Sequence, residues 1–243
     1  MAERKRARLK GLTVGVCTSG SRVKLALLAG GGFSCASRKC LNQEKELFPM
    51  LDRLLAPHKA GLGDISVLCV VNGPGRFTGL RVGLTFASAL KTLAGIEVRS
   101  VTLFDVLAAQ AASSRAFMAW AAGRKAPVLA AVVHAFKDEY FCQAFSAGVR
   151  AGRGFAGSPL GAPRWLKEGE VRDYLGSFGD GAYAAADSEE RPDIYSLLPP
   201  GAARAPAGVS RVLPEFIIKA GLALGKKDLS PLYLKPAKYE IGA

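Results

Sequence analysis

Histidine is scarce. His58 and His134 are the only two in 243 residues, and neither has a second ligand four residues on, so HxxxH and HExxH metal pairs are missing. No serine–histidine pair sits within a recognisable nucleophile elbow. Apolar runs are short, and none approaches the roughly 18 residues that a membrane-crossing helix needs. The opening MAERKRARLK leads straight into a strand pattern with no apolar stretch of a secretory signal. Five cysteines (Cys17, Cys35, Cys40, Cys69, Cys142) are odd in number and lack CxxC spacing. Most lie in apolar, strand-like contexts, which suits reduced core thiols in a cytoplasmic protein. Acidic residues number 20 against 33 basic ones, a net charge of +13. That balance favours polyanionic neighbours but speaks only to non-specific association. Arg4, Lys5, Arg6, Arg8 and Lys10 crowd the start, which reads as a disordered tail or, alternatively, a nucleic-acid arm.

A hydrophobic content of 49% and a mean hydropathy of +0.17 indicate a globular chain able to bury a real core as one domain or two. Its most informative stretch is Val67 to Leu93. Val67 to Val71 is a continuous apolar run that predicts a buried strand, broken by Asn72-Gly73-Pro74-Gly75. Thr78 can then cap a helix from Gly79 to about Leu93, stopped by Gly95. A glycine loop between strand and helix leaves backbone N–H groups free for an anion, so Gly73, Gly75, Arg76 and Thr78 are candidate nucleotide-binding residues. The same residues also make a simple tight turn. Gly79, Gly83 and Ala87 recur at i, i+4, i+8, leaving one helix face nearly bare for close approach by another element.

The run GPGRFTGLRVG, Gly73 to Gly83, resembles the hallmark of the TsaB (YeaZ) family, and Pro231 to Lys235 resembles its terminal PxYLR signature. The resemblance implies an α/β fold of two actin-like lobes (ASKHA, ribonuclease H-like) with mixed sheets flanked by helices. It implies a non-catalytic subunit of the machinery that installs threonylcarbamoyl-adenosine in tRNA, without a cofactor. The implied partner is a TsaD-like catalytic subunit in a heterodimer, with a TsaE-like ATPase also in reach. Contact with tRNA is then indirect, through the complex, and self-pairing is open when the partner is missing. In that family the helix resembling Gln43 to His58 and the helix after the glycine loop form the docking surface. Leu47, Phe48, Leu51, Leu55, Gly79, Gly83 and Ala87 are its candidate contacts here. Read from periodicity alone, the first helix is an ordinary amphipathic one facing its own sheet, starting at Gln43 or, because of Pro49, near Glu46. Actin-like hairpins carry a carboxylate for a metal–phosphate group, where this chain has Cys17-Thr18-Ser19. A thiol does not replace hard oxygen ligands for magnesium.

The remaining chain reads as a hairpin at Leu12 to Leu28, a third strand at Phe33 to Ser37 and a strand at Ile96 to Val101. A long helix from the Thr102 cap to about Ala122 follows, then a second hairpin turned at Lys137-Asp138-Glu139. A helix near Pro163 to Leu175, a Gly179-Asp180-Gly181 turn after a strand, and a last helix from Arg211 to Leu224 complete it. The expected organisation is an N-terminal lobe over 1–103, completed by a helix within 209–243, and a second lobe over 104–208. Two other readings stand beside the scaffold: a small ATP-binding enzyme of the sugar-kinase superfamily, and a basic RNA-binding module.

Overall fold

The structure, a computed structural model, describes residues 11–147, 157–178 and 181–235. The basic opening segment and Gly179-Asp180 lie outside them. Two mixed sheets alternate with three layers of helix. The first sheet has the order β3-β2-β1-β4-β5, built from β1 (Leu12–Cys17), β2 (Arg22–Ala29), β3 (Gly32–Lys39), β4 (Ile65–Val71) and β5 (Glu97–Val101). The β1–β2–β3 meander is antiparallel, while β4 and β5 add in parallel. The second sheet centres on the antiparallel pair β6 (Val128–Phe136) and β7 (Glu139–Ser146). The short β8 (Ser158–Pro159) and β9 (Arg164–Lys167) pair with β7, and β10 (Ala182–Ala186) runs parallel to β6.

Residue alternation along the buried strands fixes the layers. On β4, Leu68 and Val70 face a core formed with α1 (Gln43–Leu55) and α2 (Phe77–Ala94), whereas Cys69 and Val71 face the opposite way. That second core lies between the sheets. It holds Phe104 and Leu107 of α3 (Leu103–Ala112), Phe117 of α4 (Arg115–Ala121) and Ile217 of α6 (Pro214–Leu224). On β6, Leu129 and Ala131 complete it, while Ala130 and Val132 turn outward to α5 (Glu168–Gly176). α6 therefore belongs to the first sheet although it is read late in the chain. It comes so close that a Cβ at Gly15 would stand 2.9 Å from Ile218 Cγ1, and one at Gly221 would stand 2.6 Å from Cys69 Sγ.

Several boundaries differ from expectation. α2 begins at Phe77 with Arg76 as its N-cap, so Thr78 sits inside the first turn and caps nothing. α1 starts at Gln43 and carries the exposed Pro49 within it. Thr102 caps α3 as expected, through a reciprocal pair with Asp105, but the helix ends at Ala112. The hydroxyls of Ser113 and Ser114 turn back onto the carbonyls of Ala109 and Ala111, and Ser114 then caps α4. Arg164–Lys167 is a strand and not a helix start, because it pairs with β7 across Glu139 to Cys142. α6 begins at Pro214, whose missing N–H is harmless in a first turn. In chain order β10 is preceded by α5 and not by a strand.

Candidate functional site

α1 and α2 lie side by side on the outer face of the first sheet. Leu47, Leu51 and Leu55 point into the sheet and are buried, as are Gly79, Gly83 and Ala87. Six of the seven expected docking contacts are therefore inside this chain. The small-residue stripe has an internal use. A Cβ at Gly79 would overlap the Thr18 carbonyl oxygen, and one at Gly83 would stand 2.5 Å from Thr18 Oγ1. The stripe thus lets the β1–β2 turn press onto α2. Gln43, buried at the start of α1, ties the same turn down by donating to the Gly20 carbonyl at 2.7 Å.

What faces outward is a different set. Phe48 is 47% exposed and meets Phe86 edge-on, with ring centroids 5.3 Å apart. Phe77 is 57% exposed and Leu93 85%. Together with Val82 and Leu90 these residues line an open groove of about 580 Å³ between the helices, rimmed by Glu44, Thr78, Arg81 and Thr85. The Arg81 guanidinium lies 5.3 Å from the centre of the Phe77 ring. Of the expected contacts only Phe48 presents an exposed side chain there, while Leu47 forms part of the floor. Phe77, Arg81 and Leu93 were missed. Their signal was available in the spacing of Phe77, Arg81 and Thr85 at i, i+4, i+8 on the face opposite the glycines.

The glycine loop is held by its own chain. Gly73, which precedes a cis proline, has φ +136°, and a Cβ there would stand 2.7 Å from the Leu232 carbonyl oxygen. A Cβ at Gly75 would overlap the Ser19 carbonyl oxygen, which accepts the Arg76 N–H at 2.7 Å. The Gly73 carbonyl accepts from Leu103 N–H at 2.6 Å. The Arg76 side chain turns to Glu190 at 3.5 Å, and Thr78 is exposed on the groove side. Gly75 and Arg76 line a cleft beside the loop, whereas Thr78 lines the helix groove.

The cleft beside the loop, of about 430 Å³, is lined by Cys17, Ser19, Lys24, Arg76, Asp187 and Glu190. Lys24, on β2 of the first sheet, is buried and pairs with Glu189 at 2.6 Å and Asp187 at 3.5 Å, just beyond β10 of the second. Burial raises the Asp187 carboxyl above its ordinary range, with the Lys24 charge opposing. Glu189 is also penalised by burial, but its bond to Lys24 and the charges of Lys24, Arg22 and Arg211 hold its carboxyl below the usual range. Ser21 donates to Glu190 from both N–H and hydroxyl at 2.7 Å. Burial pushes the Cys17 thiol up, with Ser19 Oγ 3.1 Å away. These donors do not fit a magnesium–nucleotide: a neutral thiol stands on β1, and the ammonium of Lys24 already neutralises the nearest carboxylates. Among the described residues no His, Cys, Asp and Glu group converges with metal-ligand geometry.

Two solved structures share this arrangement of layers over nearly the whole chain. One is YeaZ from Pseudomonas aeruginosa, with a TM-score of 0.68 and 21% identity, covering 92% of this chain and 100% of that one. The fold is that of YeaZ. A second structure, described as similar to peptidase YEAZ from Pseudomonas aeruginosa, gives a TM-score of 0.68 and 21% identity over 93% of this chain and all of its own. Residues 37–144 match the family model of TsaD, tRNA N6-adenosine threonylcarbamoyltransferase. A 64-residue segment is 36% identical to the tRNA threonylcarbamoyladenosine biosynthesis protein TsaB of Haemophilus influenzae, covering 26% of this chain. The chain spans 27% of that relative's length. The resemblance to TsaB (YeaZ) carried by the glycine loop thus recurs in sequence and in fold. Of the two histidines, His134 lies 3.0 Å from the Lys137 carbonyl oxygen, and His58 ends the helical turn after α1. No helix among the described residues is long and apolar enough to cross a membrane.

Proposed function

We propose that this chain is a non-catalytic subunit of the machinery that transfers a threonylcarbamoyl group to adenosine of tRNA, and that it docks a TsaD-like catalytic subunit on the outer face of α1 and α2. The observation that carries the reading is the open apolar groove with Phe48, Phe77 and Leu93 left in solvent. A soluble surface seldom exposes such a patch without a partner. The family match supports the choice of occupant. Residues 37–144 contain both helices, so a TsaD-type protein carries a related helix pair. Two such pairs can meet face to face as a four-helix contact with interdigitating apolar side chains. In this role the chain orders its partner and leaves the chemistry to it, which agrees with a cleft zipped by Lys24 and its carboxylates.

Purified wild-type chain should bind the TsaD-like protein of the same cell in calorimetry. Phe48→Asp and Phe77→Asp should each weaken binding by roughly thirtyfold or more, the equivalent of losing an anchor worth about 2 kcal/mol. Both side chains lie at the surface, so thermal unfolding should stay near wild type. Two folded variants that bind as tightly as wild type would remove this surface from the function.

A further inference from the structure

The groove does not end at α2. From Ser230 onward the chain crosses the first turn of that helix and continues to the second sheet. Asn72 Nδ2 donates to the Ser230 carbonyl at 2.9 Å, and Leu232 N–H donates to the Asn72 carbonyl at 2.8 Å. At the far side Lys235 Nζ reaches both carboxylate oxygens of Glu139, at 2.7 and 2.8 Å, and lies 5.4 Å from the centre of the Trp165 ring. Exposure alternates from residue to residue along the segment. Leu232 and Leu234 pack against the core between the sheets, and Tyr233 between them points the other way. Its ring is 49% exposed and rests on Phe77, with centroids 5.4 Å apart.

We infer that Tyr233 is a contact residue for the docked partner, extending the α1–α2 surface onto the segment that bridges the two sheets. This rests on the docking role proposed above. Phe77 lines the groove and touches Tyr233 on one side and Arg81 on the other, so the three form one continuous ledge. Tyrosine and arginine are the residue types that dominate interface energetics, through large rigid area and a polar tip. The leucines on either side already hold the segment in place, so packing alone does not call for an aromatic ring aimed at solvent. The facing surface of a TsaD-type partner is expected to present an apolar side chain to the Phe77–Tyr233 pair and an acceptor to Arg81.

The test measures affinity of the full chain for the TsaD-like protein, with thermal unfolding of every variant. Tyr233→Ala should weaken binding at least about tenfold, whereas Tyr233→Phe, which keeps the ring, should bind within about twofold of wild type. Lys235→Ala releases the far anchor but leaves the ring, and it too should bind nearly normally. If Phe48→Asp abolishes binding while Tyr233→Ala binds like wild type, the extension to Tyr233 is wrong and the groove stands. If Lys235→Ala loses as much as Tyr233→Ala, the segment acts through its geometry and the direct contact is overturned. Failure of the wild-type chain to bind overturns the docking role itself.

Discussion

A single side-chain oxygen, Thr18 Oγ1, shows how tightly the β1–β2 turn is seated on α2. It is buried without a hydrogen-bond partner and would lie 2.5 Å from a Cβ at position 83. Gly83→Ala should therefore destabilise the fold by about 2 kcal/mol through overpacking. In a Thr18→Ala background the same change should cost at least about 1 kcal/mol less, because the obstructing oxygen is gone. Urea unfolding of the four proteins reads this coupling directly, and additive costs would contradict it. Lys24 gives a second residue-level test. Lys24→Met strands Asp187 and Glu189, which should cost about 3 kcal/mol at neutral pH. The sign with pH follows from protonation. In the wild type, Glu189 has a depressed folded pKa, so its contribution is present above the unfolded value and lost as pH falls through the folded one. Asp187, with a raised folded pKa, opposes it: the folded state binds the proton more tightly, and stability falls as pH rises through that window. Without the ammonium both carboxyls are raised, so the variant gains stability on acidification. The gap between the two proteins should narrow as pH is lowered through the carboxylate range, and a pH-independent gap would refute the pairing.

At the scale of elements, local chemistry decided what could be read in advance. The strand Leu12 to Cys17 and the Thr102 cap were legible because apolar continuity and a Thr-x-x-Asp box act within a few residues. The break at Ser113-Ser114 was not, since an alanine-rich run predicts an unbroken helix and two serines are a weak stop signal. Ser114 Oγ nevertheless both donates to Ala111 and accepts from Phe117 N–H at 3.2 Å. Ser114→Ala should cost about 1 kcal/mol, like other lost caps, with the loss visible in thermal melts. The proposed docking face reads in the sequence as a pair of helices but not as a set of side chains. A bare glycine stripe reads equally as a surface for a partner and as a seat for the chain's own turn, and Thr18, more than sixty residues away, decides between them. Arg164–Lys167 was misread for a similar reason: its strand character comes from pairing with β7, not from its own residues.

For the whole molecule, the position of α6 matters most. Ile217 and Ile218 are fully buried, and Gly221 stands against Cys69. A chain ending at residue 208 should lack the cover for the inner face of the first sheet and show no cooperative thermal transition, although β1 to β5 are all present. A sharp melt near that of the full chain would refute this. The same arrangement sets a schedule for synthesis. Cys69 and Ile218 are 149 residues apart, and at translation rates of roughly 5–20 residues per second the ribosome needs about 7 to 30 s to travel between them. Once β5 has also emerged, all five strands of the first sheet are present while the apolar face that α6 covers stays open. The nascent sheet is then a sticky half-product, exposed to chaperones and to other nascent copies until its covering helix emerges.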